Sequence, residues 1–173
     1  MENSSTIRKW TELEGLAAVA LETGKKIGAL EDFYINPQNS EVLGFQVKTG
    51  MFGHRVLPVG AISGIGADAV TFVNEEQLLK ESDAPQLANM IYGRTLLKYR
   101  VISESGTVVG EIDNVLLDIT NPAAIVLKGY QLGGGLREKI TGHYQAFAAS
   151  EVVRYGQDVI ILSESVAQEL TKR

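Results

Sequence analysis

The chain repeats itself, and a repeat constrains the fold before any local pattern does. The segment Thr23-Gly24-Lys25-Lys26-Ile27-Gly28-Ala29-Leu30-Glu31-Asp32 returns 82 residues later as Ser105-Gly106-Thr107-Val108-Val109-Gly110-Glu111-Ile112-Asp113-Asn114. Leu13-Glu14-Gly15 is echoed by Ile91-Tyr92-Gly93 at a spacing of 78, and the run from Ile62 to Val70 by that from Val152 to Ile160 at a spacing of 90. Two copies in 173 residues leave about 80–90 residues each, enough for a small core apiece. The stretch Glu81-Ser82-Asp83-Ala84-Pro85 replaces the apolar pattern with acidic residues and proline, so the expected domains are 1–83 and 84–173.

Each copy reads as short strands. In copy one they fall at 16–22, 27–35, 42–48, 56–60, 61–65 and 69–73; in copy two at 95–103, 109–118, 124–131, 145–149, 151–155 and 159–163. Gly24 and Gly106 follow Thr or Ser between apolar runs, where a hairpin needs positive φ. Gly28 and Gly110 lie inside the next apolar run, where glycine marks a bulge or bend. Capping signals follow the last strand of each copy, Asn74 with Gln77 and Ser165 with Gln168. The pattern predicts an all-β chain of two tandem copies, each a meander of six short strands followed by one or two helical turns. Ile27, Ile35, Phe45, Val70, Phe72, Val109, Leu117, Val126 and Ile161 are the expected core.

Composition removes several function classes. With no cysteine there is no disulfide, thiolate metal site or cysteine nucleophile. A net charge of −5 gives no overall attraction to phosphate backbones, so direct nucleic-acid binding is not expected. No run approaches the ~18 apolar residues of a spanning helix, and the start Met1-Glu2-Asn3 lacks the blocks of a signal peptide. The expected location is the cytoplasm, with peripheral association on the cytoplasmic face of a membrane left open. Residues 1–83 hold 7 basic and 12 acidic side chains and residues 84–173 hold 9 of each, a division that suits a basic partner for copy one or solubility alone.

An apolar-Gly unit, a strand, Gly-x-x-x-Gly with an acidic pair, an Asn-Pro turn and a Gly-x-Asp hairpin resembles the PRC-barrel family. The quoted residues are Gly24, Gly28, Glu31 and Asp32, then Gly106, Gly110, Asp113 and Asn114, with Asn36-Pro37 matched by Asn121-Pro122. The resemblance implies two tandem small six-stranded antiparallel barrels, each followed by a short helix and used as interaction modules. Its known settings include the cytoplasmic part of the reaction-centre H subunit and the C-terminal domain of a ribosome-maturation factor that binds a ribosomal protein. This chain shows neither the transmembrane helix of the first nor the RNA-processing domain of the second. The family supplies no catalytic residues to carry over.

Candidate sites follow from residue type. Glu31 and Asp32 could form an acid/base pair, but neighbours on a strand point to opposite faces, which favours solvated charges at the barrel rim. His54 and His143 sit between the third and fourth strands of their copies, and two imidazoles without acidic or cysteine partners make a poor metal site. Thr49-Gly50-Met51-Phe52-Gly53-His54-Arg55 places a Met-Phe pair on a loop, either tucked back as a plug or offered to a partner. The matching segment of copy two, Leu132 to Tyr144, is either an adaptable recognition loop or a plain insertion, and its three glycines lack the strand-to-helix setting and Gly-Lys-Ser/Thr of a phosphate loop.

The expectation is a non-enzymatic adaptor, without cofactor, metal or catalytic residues. It would bind another protein through Met51, Phe52, His54 and Arg55 of one copy and Leu136, Arg137, Lys139 and Tyr144 of the other. Family resemblance points to a photosynthetic membrane complex or its assembly. The alternatives are a ribosome-maturation role through a ribosomal protein, and a small-molecule or enzymatic site between the barrels.

Overall fold

A computed structural model describes residues 6–51, 53–133 and 145–171. The chain folds as two compact units. Unit 1 takes in the residues up to Gly93 together with Leu117–Leu127, and unit 2 takes in Arg94–Leu116 with the residues from Lys128 on.

Unit 1 opens with β1 (Ile7–Lys9), one helical turn α1 (Trp10–Leu13), β2 (Ala17–Ala20), β3 (Lys25–Ile35), β4 (Val42–Thr49) and β5 (Gly53–Pro58). It continues through β6 (Ile62–Ile65), β7 (Ala69–Phe72) and the two-residue β8 (Ile91–Tyr92). The strand order is β5-β4-β3-β2-β7-β6, with β8 added to the far end of β3. The two ends of this path, β5 and β6, are joined by a single 3-10 turn, Val59–Ala61. Three residues span at most about 10 Å, so the sheet has to curl until the end of β5 reaches the start of β6, although the two strands do not pair among the described residues.

Unit 2 contains α2 (Gly93–Leu96, whose first residue closes unit 1), β9 (Arg100–Ser103), β10 (Val108–Asp118), β11 (Val126–Leu132), β12 (Ala146–Ala148), β13 (Val152–Tyr155), β14 (Val159–Leu162) and α3 (Glu164–Thr171). Its order, β12-β11-β10-β9-β14-β13, copies that of unit 1 strand for strand. A 3-10 turn, Ala149–Glu151, again joins the path ends.

The hairpins fall where the glycines put them. Gly24 and Gly106 adopt φ of +67° and +91°, the left-handed region that glycine enters without steric cost. Bulges follow at Ile27 and Val109, beside Gly28 and Gly110, and bend the long strands β3 and β10. Ile35, Phe45, Val70, Phe72 and Leu117 are fully buried as expected. Ile27, Val109, Val126 and Ile161 are only half-buried.

Four readings need correction. The sheets are mixed, because β2 runs parallel to β7 and β9 parallel to β14. The strand expected over 95–103 begins only at Arg100, since the turn α2 occupies its start. Each copy ends in a short helix as expected, the 3-10 turn Glu75–Gln77 in copy one and α3 in copy two, but α3 starts at Glu164, so Ser163 and not Ser165 precedes and caps it. The equivalence of Leu13-Glu14-Gly15 with Ile91-Tyr92-Gly93 also fails: α1 and α2 precede the equivalent strands β2 and β9, so Leu13 matches Leu96 and Trp10 matches Gly93. Both leucines are fully buried, which fixes that register.

Unit 1 extends beyond its first 83 residues. Leu79 exchanges two backbone hydrogen bonds with Val56, at 2.7 and 2.9 Å, and so guards the edge of β5. Ala84 and Leu87 then bury themselves against Tyr34 and Val56, with Leu43, Met90 and Tyr92 packed around them. The stretch Leu117–Leu127 is held by Ile119 N–H donating to Thr6 O, Val42 N–H to Ile125 O and Leu127 N–H to Ser40 O, at 2.8–3.0 Å.

Candidate functional site

Around Met51 the expected loop is a tight hairpin. Thr49 pairs with Gly53, Lys48 with His54 and Val47 with Arg55, so His54 and Arg55 lie on β5. Gly50 turns the chain at φ +73°. A Cβ on Gly53 would stand 2.4 Å from the Thr49 carbonyl oxygen, so only glycine lets the two strands close this near their tip. The tightness pushes Met51 outward, where it is 81% exposed. That exposure does not fit a plug under the barrel. Phe52, its partner in the motif, lies outside the described residues.

Glu31 occupies a bulge in β3, between the pairs Leu30 with Val47 and Asp32 with Gln46. A bulge re-aims the side chain it carries. The Glu31 carboxylate reaches across β4 to His54, with Oε2 2.8 Å from Nδ1, and both side chains remain partly exposed. Arg55 Nη1 donates to the His54 carbonyl at 2.9 Å. The hairpin base thus fixes a carboxylate, an imidazole and a guanidinium beneath an apolar tip, while Lys48 stays exposed beside His54.

The two carboxylates of Glu31-Asp32 diverge as expected, but the pair is not a solvated rim. Asp32 is 1% exposed, and its Oδ1 accepts from Phe33 N–H at 2.9 Å. Asn114, its counterpart in copy two, is 6% exposed and accepts from Val115 N–H at 3.0 Å. Both serve the backbone of a bulged strand. An acidic Asp in one copy and a neutral Asn in the other do the same job, which points to structure and not to acid/base chemistry.

A second polar group lies deeper in unit 1. Tyr34 is buried beside the ring of Tyr92, at 5.2 Å between centroids, and the Tyr92 hydroxyl donates to Glu81. Burial first, then the negative charge of Glu81, raises the Tyr34 hydroxyl far above the ordinary tyrosine range. In unit 2 burial likewise raises Tyr130, whose hydroxyl lies 2.8 Å from that of Tyr155. Neither phenol ionises at neutral pH, and Tyr130 meets the Tyr155 hydroxyl as a neutral group.

Among the described residues, no three His, Cys, Asp or Glu side chains gather as a metal site. No described helix is long and apolar enough to cross a membrane. His143, Leu136, Arg137, Lys139 and Tyr144 lie outside the described residues, so Met51, His54 and Arg55 are the expected contacts that the structure brings together. Sequence reasoning missed Glu31 as the partner of His54. The signal was available only as a bulge, since a regular strand would have turned Glu31 away.

No curated protein matches the chain. The family model of the PRC-barrel domain matches residues 6–78, which run from β1 past β7 to the single 3-10 turn that ends copy one, so the first copy of the repeat is similar to a PRC-barrel domain.

Proposed function

We propose that the protein is a non-catalytic docking adaptor built from two PRC-barrel-like modules, and that the β4–β5 hairpin of unit 1 is a contact for another protein. The match over residues 6–78 supports the first module, and the identical strand order of the second sheet supports reading it as a second such module. The observation that carries the contact is Met51, which stands 81% exposed at a hairpin tip whose base holds the Glu31–His54 pair and Arg55. Large apolar side chains held out on a stiff support lose little entropy on binding and serve as anchors. The partner class is a protein; membership of a photosynthetic complex or of a ribosome-assembly pathway rests on family resemblance alone.

The test is the double substitution Met51→Ala, Phe52→Ala, read in two ways. Losing an anchor costs about 2 kcal/mol of binding or more, a factor of roughly 30, so capture of partner proteins from extracts of the native cell should fall sharply. Thermal stability of the single variant Met51→Ala should hold, because the exposed Met51 side chain contributes little to folding. Normal capture by a destabilised double variant would overturn the reading.

A further inference from the structure

On the outer face of unit 2 one row of side chains crosses four strands. Val108 stands opposite Ile102, Ile102 beside Ile161, and Ile161 opposite the bulged pair Val153-Arg154. Their strand neighbours Val101, Ile160 and Leu162 are buried on the other face. Val108 is 53% exposed and Val153 is 56% exposed, so the two ends of the row are open to solvent. Three strand spacings make it about 14 Å long.

The same row in unit 1 reads Lys26, Val19, Thr71 and the bulge at Ser63-Gly64. One copy keeps the fold with mostly polar residues there, so the fold does not demand an apolar row. The apolar surface belongs to unit 2 alone, and surface of that kind marks interaction.

The row runs out at a sheet edge. Among the described residues β13 pairs only with β14. A strand added along β13 would continue the row, with its side chains about 5 Å from those of the edge. The bulge leaves two neighbouring side chains of β13 exposed, Val153 and Arg154. Arg154 makes no ion pair among the described residues, whereas Arg100 on the same face is met by Glu111 at 3.8 Å. Glu104, exposed just past the end of β9, lies two strands in from the edge. The edge therefore presents one apolar and one cationic group side by side. Their complement is an apolar side chain and a carboxylate on one face of an extended segment, which means two positions apart.

A second copy of this chain does not fit. Pairing β13 with itself would bring two Arg154 guanidiniums together, and a row of four side chains buries far less than the roughly 1,200 Å² of a stable interface. The short, bulged edge suits a short segment and not an open-ended stack.

We propose that unit 2 takes up an extended peptide segment along β13, and that the segment carries an apolar side chain and an acidic one at alternate positions. The probes are two labelled heptapeptides added to the whole chain, Thr-Thr-Val-Thr-Glu-Thr-Thr and the same sequence with Lys in place of Glu. Titration should shift the backbone amide resonances of Val152–Tyr155 saturably, and the Glu peptide should bind about fivefold more tightly, the upper size of one exposed ion pair. In Arg154→Glu the preference should reverse towards the Lys peptide. Arg154 is exposed, so this variant keeps the fold, which its unchanged amide spectrum outside β13 will show. Absence of shifts along β13 with both peptides, or a preference that survives Arg154→Glu unchanged, overturns the proposal.

Discussion

Gly93 shows how a single position can carry different residues in two copies of a repeat for a packing reason. It occupies the place that Trp10 holds in copy one, and a Cβ there would lie 2.2 Å from the ring of Phe33. Phe33 is fully buried, with Trp10 edge-on at 4.9 Å and Phe45 beyond, so the ring has no room to withdraw. Gly93→Ala should therefore cost about 1–3 kcal/mol as an overpacked core, and lower the melting temperature by several degrees. Gly60 has open space around its Cα, so Gly60→Ala should leave the melting temperature within about a degree or two. Thermal unfolding of both variants checks the pair, and equal shifts would mean that the Phe33 ring yields. Residue identity alone could not separate these glycines. The turn glycines Gly24 and Gly106 were legible because their polar neighbours announce a hairpin, whereas Gly93 is set by a ring some sixty positions away in sequence.

At the scale of elements, α3 shows the two copies using different structure for the same step. In copy one Gln77 Oε1 accepts from Val73 N–H at 2.8 Å and the chain turns once. In copy two the helix starts at Glu164, whose carboxylate accepts from Ser105 N–H at 2.6 Å in the β9–β10 turn. Hydrogen bonds from the Ser105 side chain and backbone, then from Ser103, lower the Glu164 carboxyl below its ordinary value of 4.5. A carboxylate lowered in the folded state adds stability above its unfolded value, and loses it as the pH falls through the folded one. Glu164→Gln should therefore melt below the parent at pH 6, with the gap closing as the pH drops below about 4.5. A gap independent of pH from 3 to 6 would show that the ionised form is not the one being held. In copy two Ser163 and not Ser165 caps the helix, its Oγ accepting from Val166 N–H at 3.4 Å, while in copy one the capping signal of Asn74 with Gln77 was readable. The link to Ser105 was not, since 59 residues separate it from Glu164.

For the whole molecule, the hairpins linking β2 to β5 and β6 to β7 were legible because each carries its own local signal of turn residues between β-branched runs, but the strands do not follow one another as the simple meander the pattern suggested. Long-range closure was not legible. Parallel pairing of β2 with β7 leaves no local mark, and Glu81-Ser82-Asp83-Ala84-Pro85 has the composition of a linker although Ala84 and Leu87 are buried. Unit 1 consequently needs two stretches that a cut at residue 83 would remove: Ala84–Gly93, which covers Tyr34 and pairs Ile91 with Ile35, and Leu117–Leu127. Leu87, Ile119, Ile125 and Leu127 are each at most 8% exposed. Burying a side chain of that size contributes about 1.5–3 kcal/mol, so the four together account for about 6–12 kcal/mol. That is comparable to the whole stability of an ordinary domain, about 5–15 kcal/mol. A fragment of residues 1–83 should therefore show no cooperative thermal transition, and should bind a hydrophobic dye through the uncovered Tyr34 and Ile35 region. Extending it to residue 93 should restore only part of the structure, because Val42, Ser40 and Thr6 still lack their backbone partners Ile125, Leu127 and Ile119. Circular-dichroism melting of the two fragments beside the full chain reads this directly, and a sharp transition of 1–83 near that of the full chain would show that copy one folds without either stretch.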